Sequence, residues 1–187
     1  MFLFRLSFWL LLLKLFALAF VGMMAVMQIP ELRYDYGAVT PVAIESPEEL
    51  QRLAPRKATF VAVTGRPDFE RAFVYKRYGL AYTYFTAKPY GPLLVVRTHE
   101  AVDDNWKEIG TLVGRLRPFE DQPFSYRIRD IYRDQVGLEV PAEAYFLALH
   151  DVPRPSGWQI GAVAIAGTAW LAMLYGFFLH RRFTGKR

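Results

Sequence analysis

Apolar residues fill the chain almost without interruption from Phe8 to Met27 and again from Trp158 to Leu179, while polar and apolar positions mix in between. Each run is about the 20 residues that an α-helix needs to cross roughly 30 Å of hydrocarbon. The pattern predicts a membrane protein, with two transmembrane α-helices flanking a β-rich α+β extracytoplasmic domain. The expected divisions are a first helix with a short N-terminus over 1–29, the domain over 30–156, the second helix over 157–180 and a basic tail over 181–187. Pro30 is expected to stop the first helix, because proline lacks the N–H that a helix interior needs.

Inside the middle stretch, Ser46-Pro47-Glu48-Glu49 predicts a short helix ending near Pro55. Ser46 serves as cap, Pro47 takes the first helical position, and Glu49 reaches back as in a capping box. Segments rich in Val, Tyr, Phe and Thr follow at 58–64, 72–76, 80–87, 93–98 and 111–116, and they read as strands. Thr64-Gly65-Arg66-Pro67-Asp68 reads as a turn between the first two. This regular spacing predicts a meander that folds into a small sheet or barrel. Phe124, Ile128, Ile131, Tyr132 and Val136 then fall at helical spacing, with Gly137 as C-cap. Residues 144–149 read as a last strand, and Asp151 to Gly157 as a stiff connector to the second helix.

Charge adds topology. The chain carries a net charge of +5, but residues 30–156 hold all 18 acidic residues against 17 of the 23 basic ones, a balance of −1. The remaining basic residues are Arg5, Lys14, Arg181, Arg182, Lys186 and Arg187, in or beside the apolar runs. A nucleic-acid binder needs a basic folded domain, so nucleic acid is excluded as a partner. Positive residues flanking transmembrane helices favour the cytoplasmic side, which places both termini inside and the central domain outside. The expected location is a bacterial inner membrane with the domain in the periplasm. Ala17-Leu18-Ala19 offers a signal-peptidase site, but Lys14 breaks the h-region and the apolar sequence continues to Met27, as in a retained anchor. The chain has no cysteine, so thiolate metal sites, c-type haem attachment and thiol redox chemistry are excluded.

The order of parts resembles the Surf-one (Surfeit locus protein one) family of cytochrome c oxidase assembly factors. Val63-Thr64-Gly65-Arg66 with Phe69 is similar to that family's early strand and turn. Leu93 to Arg97 resembles its strand ending in Asn-Arg-Gly-Trp, and Gly110 to Leu116 the strand after it. Tyr126 to Gly137 with Pro141 to Leu149 resembles its Arg-Asp-bearing helix and final strand. His180-Arg181-Arg182 matches the family's close. The resemblance implies a membrane-anchored, non-enzymatic factor that binds haem–copper oxidase subunits during cofactor insertion. Its alternative is a permanent accessory or structural subunit of a respiratory or other membrane complex. The resemblance also implies contact with haem a, but Pro155-Ser156-Gly157-Trp158-Gln159 stands where the family carries its haem-linked histidine. No cofactor or metal is expected from the residues themselves.

Catalytic signatures are missing. His99-Glu100, His150-Asp151 and His180 have no local nucleophile or second ligand, and the pairs Asp103-Asp104 and Glu120-Asp121 lack the spacing of a calcium loop. The expectation is that the chain is not an enzyme. The residues that attract attention are arginines: Arg97, and the run Arg115, Arg117, Arg127, Arg129 and Arg133 among acids. A guanidinium presents a planar fork that fits carboxylates. Arg97, Arg115, Arg127 and Asp130 are the candidates for binding a membrane-protein partner, with Arg127 expected to pair along the helix with Asp130 or Asp134. Tyr75, Tyr78, Tyr82, Tyr84, Phe85 and Tyr90 supply core packing on one strand face and a partner surface on the other. Along the second apolar run, Gly157, Gly161, Ala162, Ala166, Ala169 and Gly176 recur at three- and four-residue spacing, as a face that admits another helix closely.

Overall fold

The computed structural model describes residues 2–55, 57–77 and 79–179. In chain order its elements are α1 (Phe2–Met27), α2 (Ile29–Asp35), β1 (Val42–Ile44), α3 (Pro47–Leu53), β2 (Thr59–Thr64), β3 (Arg66–Arg77), β4 (Leu80–Lys88), β5 (Gly91–Thr98), β6 (Thr111–Pro118), α4 (Ser125–Ile131), β7 (Tyr145–Leu149) and α5 (Gly157–Leu174). They form two units, one of residues 1–36 with 154–187 and one of residues 37–153.

The first unit is a helical hairpin. Phe8–Asp35 and Gly157–Leu179 are helical stretches of 28 and 23 residues, long and apolar enough to cross a membrane. Pro30 does not end helical structure. The chain breaks only at Gln28, and Pro30 sits in the first turn of α2, where a missing N–H costs nothing. A π-helical turn, Tyr175–Leu179, extends α5. The helices run antiparallel. Lys14 Nζ lies 5.5 Å from the Phe177 ring centre, and the Gln159 amide donates to the Asp35 carboxylate. Between these contacts the Trp170 indole N–H donates to the Leu18 carbonyl at 3.0 Å. Gly22 makes that approach possible, since a Cβ there would stand 3.1 Å from Trp170 Nε1. Gly22→Leu is expected to displace the indole and cost about 1–3 kcal/mol of hairpin stability. Gly161→Leu, whose Cβ meets open space, should leave it unchanged. Thermal loss of far-UV ellipticity in detergent reads both.

The second unit is built on one seven-stranded sheet in the order β1-β2-β6-β7-β5-β4-β3. This corrects the meander. β1–β2 and β5–β7 are parallel, and β7 inserts between β5 and β6. Gly65 alone links β2, second in the order, to β3, which is last. In a flat sheet five strand spacings would separate them by about 24 Å, far beyond the reach of one residue. The sheet therefore curls until the end of β2 reaches the start of β3, which remains an edge strand. The Gly65 N–H donates to the Gly110 carbonyl at 3.0 Å, and a Cβ on Gly65 would come within 2.7 Å of the Lys88 carbonyl. The Tyr90 hydroxyl closes the same corner, donating toward the Ile44 and Thr64 carbonyls at 3.2 and 3.1 Å.

Alternation along the strands then separates two cores. The concave face buries Val61, Val63, Phe85, Leu94, Val96, Leu112, Leu116 and Leu147. The convex face carries Tyr84, Val95, Phe146 and Ala148, which α4 and its π-helical extension Tyr132–Val136 cover with Ile128 and Tyr132. Gly137 ends that helix in the left-handed conformation at φ 68°. α3 has the expected cap: the Glu49 N–H donates to Ser46 Oγ at 3.3 Å, and Glu49 Oε2 accepts from the Glu45 N–H at 2.8 Å.

Candidate functional site

Register on the convex face sets one row of residues across six strands: Phe73, Tyr84, Arg97, Ala148, Arg115 and Phe60. Two of the arginines marked in the sequence, Arg97 and Arg115, are thus neighbours across β7. Ala148, the small residue between them, leaves both guanidinium groups room on that face. Their surroundings differ sharply.

Arg115 is 7 % exposed, and its Nε lies 3.0 Å from Asp151 Oδ2 in an ion pair. Arg129 is similarly committed, with 2.6 Å to Glu120 and a bond to the Val140 carbonyl at 3.2 Å. Asp130 does not pair with Arg127. Arg133 takes both Asp130 and Asp134, at 3.0 and 2.8 Å, an acid-first order that the helix favours for Asp130. Arg127 is exposed on α4.

Arg97 stands apart. It is half-buried, its guanidinium carbon lies 5.0 Å from the Tyr82 ring centre and 5.1 Å from that of Phe146, and it stands opposite Tyr84 across the β4–β5 pair. Among the described residues no carboxylate pairs with it. It lines two clefts. One, of about 220 Å³, lies between Tyr75, Arg77, Leu80, Tyr82, Tyr84, Pro123 and Phe124. The other, of about 430 Å³, is formed with Leu80, Tyr82, His99, Ala148, Leu149, His150 and Asp151. Among the described residues the first contains two arginines and no acid. Arg77 there packs face-on to Phe124, 3.5 Å from its ring centre.

The second cleft holds the one histidine–carboxylate contact among the described residues, His150 Nδ1 to Glu100 Oε1 at 2.7 Å. A carboxylate-held imidazole is the base-and-orienter half of acid–base machinery. Among the described residues no serine, threonine or cysteine lines this cleft, and there is no cluster of three metal-ligating side chains. His99 is exposed. The contact ties the chain after β5 to the end of β7.

Two tyrosines of this face, Tyr84 and Tyr132, are shifted toward the neutral form. Burial pushes the Tyr84 phenol up, and the Arg97 cation pulls against it. Burial drives the fully buried Tyr132 phenol much further above its ordinary value near 10. An acid whose folded pKa is raised contributes stability that is complete below its unfolded pKa. That stability is lost as pH climbs from about 10 toward the folded value. Absorbance at 295 nm is therefore expected to show Tyr84 and Tyr132 ionising only together with alkaline unfolding. Smooth titration of all tyrosines near pH 10 with the fold intact would contradict this.

Along α5, Ala162 and Ala166 are half-buried and share the face of Gln159 and Trp170, toward α1. Gly157 and Ala169 are exposed, as is Gly176 in the π-helical turn, and a Cβ on Gly157, Gly161 or Gly176 would meet nothing. Part of the small-residue pattern thus lies in the hairpin seam and part faces outward. The residues at the start of α5 do not fit a haem ligand: Trp158 is exposed, the Gln159 amide is bonded to Asp35, and the Ser156 carbonyl accepts from Tyr36. The expectations for the Arg5 side chain, Tyr78, His180, Arg181, Arg182, Lys186 and Arg187 lie outside the described residues.

Arg77 and Phe124 escaped the sequence reading. Alternation offered a signal for Arg77, which shares a strand face with Tyr75; nothing local brings Phe124 to it. Comparison with protein-family models, with curated proteins and with solved structures finds no match to the chain.

Proposed function

We propose that this protein is a membrane-anchored, non-enzymatic assembly factor that binds subunits of a haem–copper oxidase during cofactor insertion. Two helices of spanning length at either end of an α+β unit support the anchor. The observation that carries the binding role is Arg97, a half-buried cation without a carboxylate partner among the described residues, at the wall of a cleft whose charged lining residues, among those described, are two arginines. The oxidase as target comes from the resemblance of the strand and helix segments to the Surf-one family. In this reading the protein sits in a bacterial inner membrane, both termini are cytoplasmic, and the folded domain meets periplasmic loops of its partner. Haem a carriage is not part of the proposal.

The second reading is a permanent accessory subunit. The outward-facing Gly157, Gly161 and Gly176 favour it, because small residues let a neighbouring helix approach closely where lipid gives no hydrophobic drive.

A mild-detergent pull-down of the tagged chain, with mass spectrometry and a haem spectrum, separates the two. Oxidase subunits at low stoichiometry support the assembly factor. A complete complex at one-to-one stoichiometry makes the chain an accessory subunit, and recovery of no oxidase component overturns the oxidase target. Alkaline-phosphatase fusions within residues 37–153 test the topology, with high activity expected.

A further inference from the structure

We infer that the cleft between Arg77 and Arg97 is a carboxylate-binding site, occupied by an Asp or Glu side chain of an acidic peptide segment in the partner protein. Arg97 provides the fork. A guanidinium has five N–H donors. Tyr84 stands opposite it across the β4–β5 pair, and the rings of Tyr82 and Phe146 lie 5.0 and 5.1 Å from the guanidinium carbon. A guanidinium edge suits two parallel bonds to a carboxylate. Arg77 adds a second positive charge on the opposite wall, braced by Phe124. No acid among the described residues lines the cleft, and low-dielectric walls strengthen the attraction for an entering anion.

The walls identify the occupant as peptide. Leu80, Tyr75, Tyr82 and Phe124 give apolar and aromatic contact suited to a side-chain stem, and the volume of about 220 Å³ is smaller than a drug-sized pocket. The cleft also borders β3, the edge strand of the sheet, with Val74 exposed beside it. An extended segment adding to that edge would pair through its backbone and present alternate side chains on the face of Tyr75 and Arg77. This inference deepens the proposed binding role and rests on it only for the partner's being a protein.

The test uses the full chain in detergent and a fluorescein-labelled hexaglutamate peptide, read by anisotropy, with labelled hexaglutamine as the uncharged probe. Wild-type protein is expected to bind hexaglutamate and not hexaglutamine. R97Q should weaken binding about tenfold or more, and R97K should recover little, because a point charge cannot replace the fork. R52Q, on α3 with a side chain 80 % exposed, should stay within about twofold. L80E, at a position 57 % exposed and so tolerant of charge, places an acid at the cleft and should abolish binding even if R97Q proves unstable. Equal weakening by R97Q and R52Q would reduce the effect to diffuse electrostatics and overturn the site. So would an absence of hexaglutamate binding, or undiminished binding by L80E. Displacement of the peptide by inorganic phosphate at lower concentration than by glutarate would overturn the carboxylate assignment. Peptide binding by a chain that recovers no oxidase keeps the cleft and removes only the oxidase target; oxidase recovery undiminished by R97Q does the reverse.

Discussion

Gly114→Ala is expected to keep the folded domain from assembling its sheet. Gly114 lies mid-strand in β6, opposite Val61 of β2 on one side and Leu149 of β7 on the other. A Cβ there would stand 2.0 Å from the Ala148 carbonyl oxygen and 2.9 Å from its carbon. No rotamer relieves this clash, because both atoms are backbone. The end of β7 would have to withdraw, breaking the bond from the His150 N–H to the Val113 carbonyl and uncoupling Leu149 from the concave core. Overpacking usually costs about 1–3 kcal/mol where side chains can move. Here the expected cost exceeds about 3 kcal/mol, a large share of the roughly 5–15 kcal/mol that holds a domain. Gly110→Ala, with open space around its Cβ, should change stability by less than about 0.5 kcal/mol. Urea unfolding followed by near-UV circular dichroism compares them. A Gly114→Ala protein within about 1 kcal/mol of wild type would show that β7 does not cross so close to β6.

That crossing also marks where sequence stopped being informative. Local signals were legible: the Ser46–Glu49 cap, the left-handed Gly137 and most strand centres depend only on neighbours in the chain. β1 escaped because three residues carry too little alternation. The first part of β3 read as a turn because Gly65, Pro67 and Asp68 look like one. Pro67 is tolerated because β3 is an edge strand, and the buried Asp68 meets Lys88 at 4.0 Å. Partnership between strands was not legible. Period-two alternation says which face a residue joins and nothing about which strand lies beside it. Arg97 and Arg115 were recognisable as arginines at strand ends, but their shared row depends on β7 slipping between β5 and β6. The expected Arg127–Asp130 pair was a local inference, and Arg133, equally local and in better order, won the acid.

Tyr132→Ala is expected to cost about 3–5 kcal/mol, the range for emptying a fully buried aromatic site, and to reach the cleft as well. The ring is completely buried under the convex face. It meets Phe73 edge-on, with centres 4.9 Å apart, and Phe73 stacks on Tyr84 at 5.4 Å. Tyr84 in turn stands opposite Arg97 across the β4–β5 pair. Removing Tyr132 therefore loosens the support of the one arginine whose position the proposed site needs, and the affinity for hexaglutamate should fall even where the variant remains folded. Tyr132→Phe separates packing from polarity. The Tyr132 hydroxyl is buried without a hydrogen-bond partner among the described residues, and such an orphan costs about 1–3 kcal/mol. The phenylalanine variant keeps the ring contacts and loses the orphan, so it should be at least as stable as wild type and bind the peptide equally well. A loss above about 1 kcal/mol in Tyr132→Phe would instead mean that a buried water satisfies the hydroxyl. Unchanged peptide affinity in folded Tyr132→Ala would break the chain of contacts from this helix to Arg97, and leave Arg97 positioned by Tyr82 and Phe146 alone.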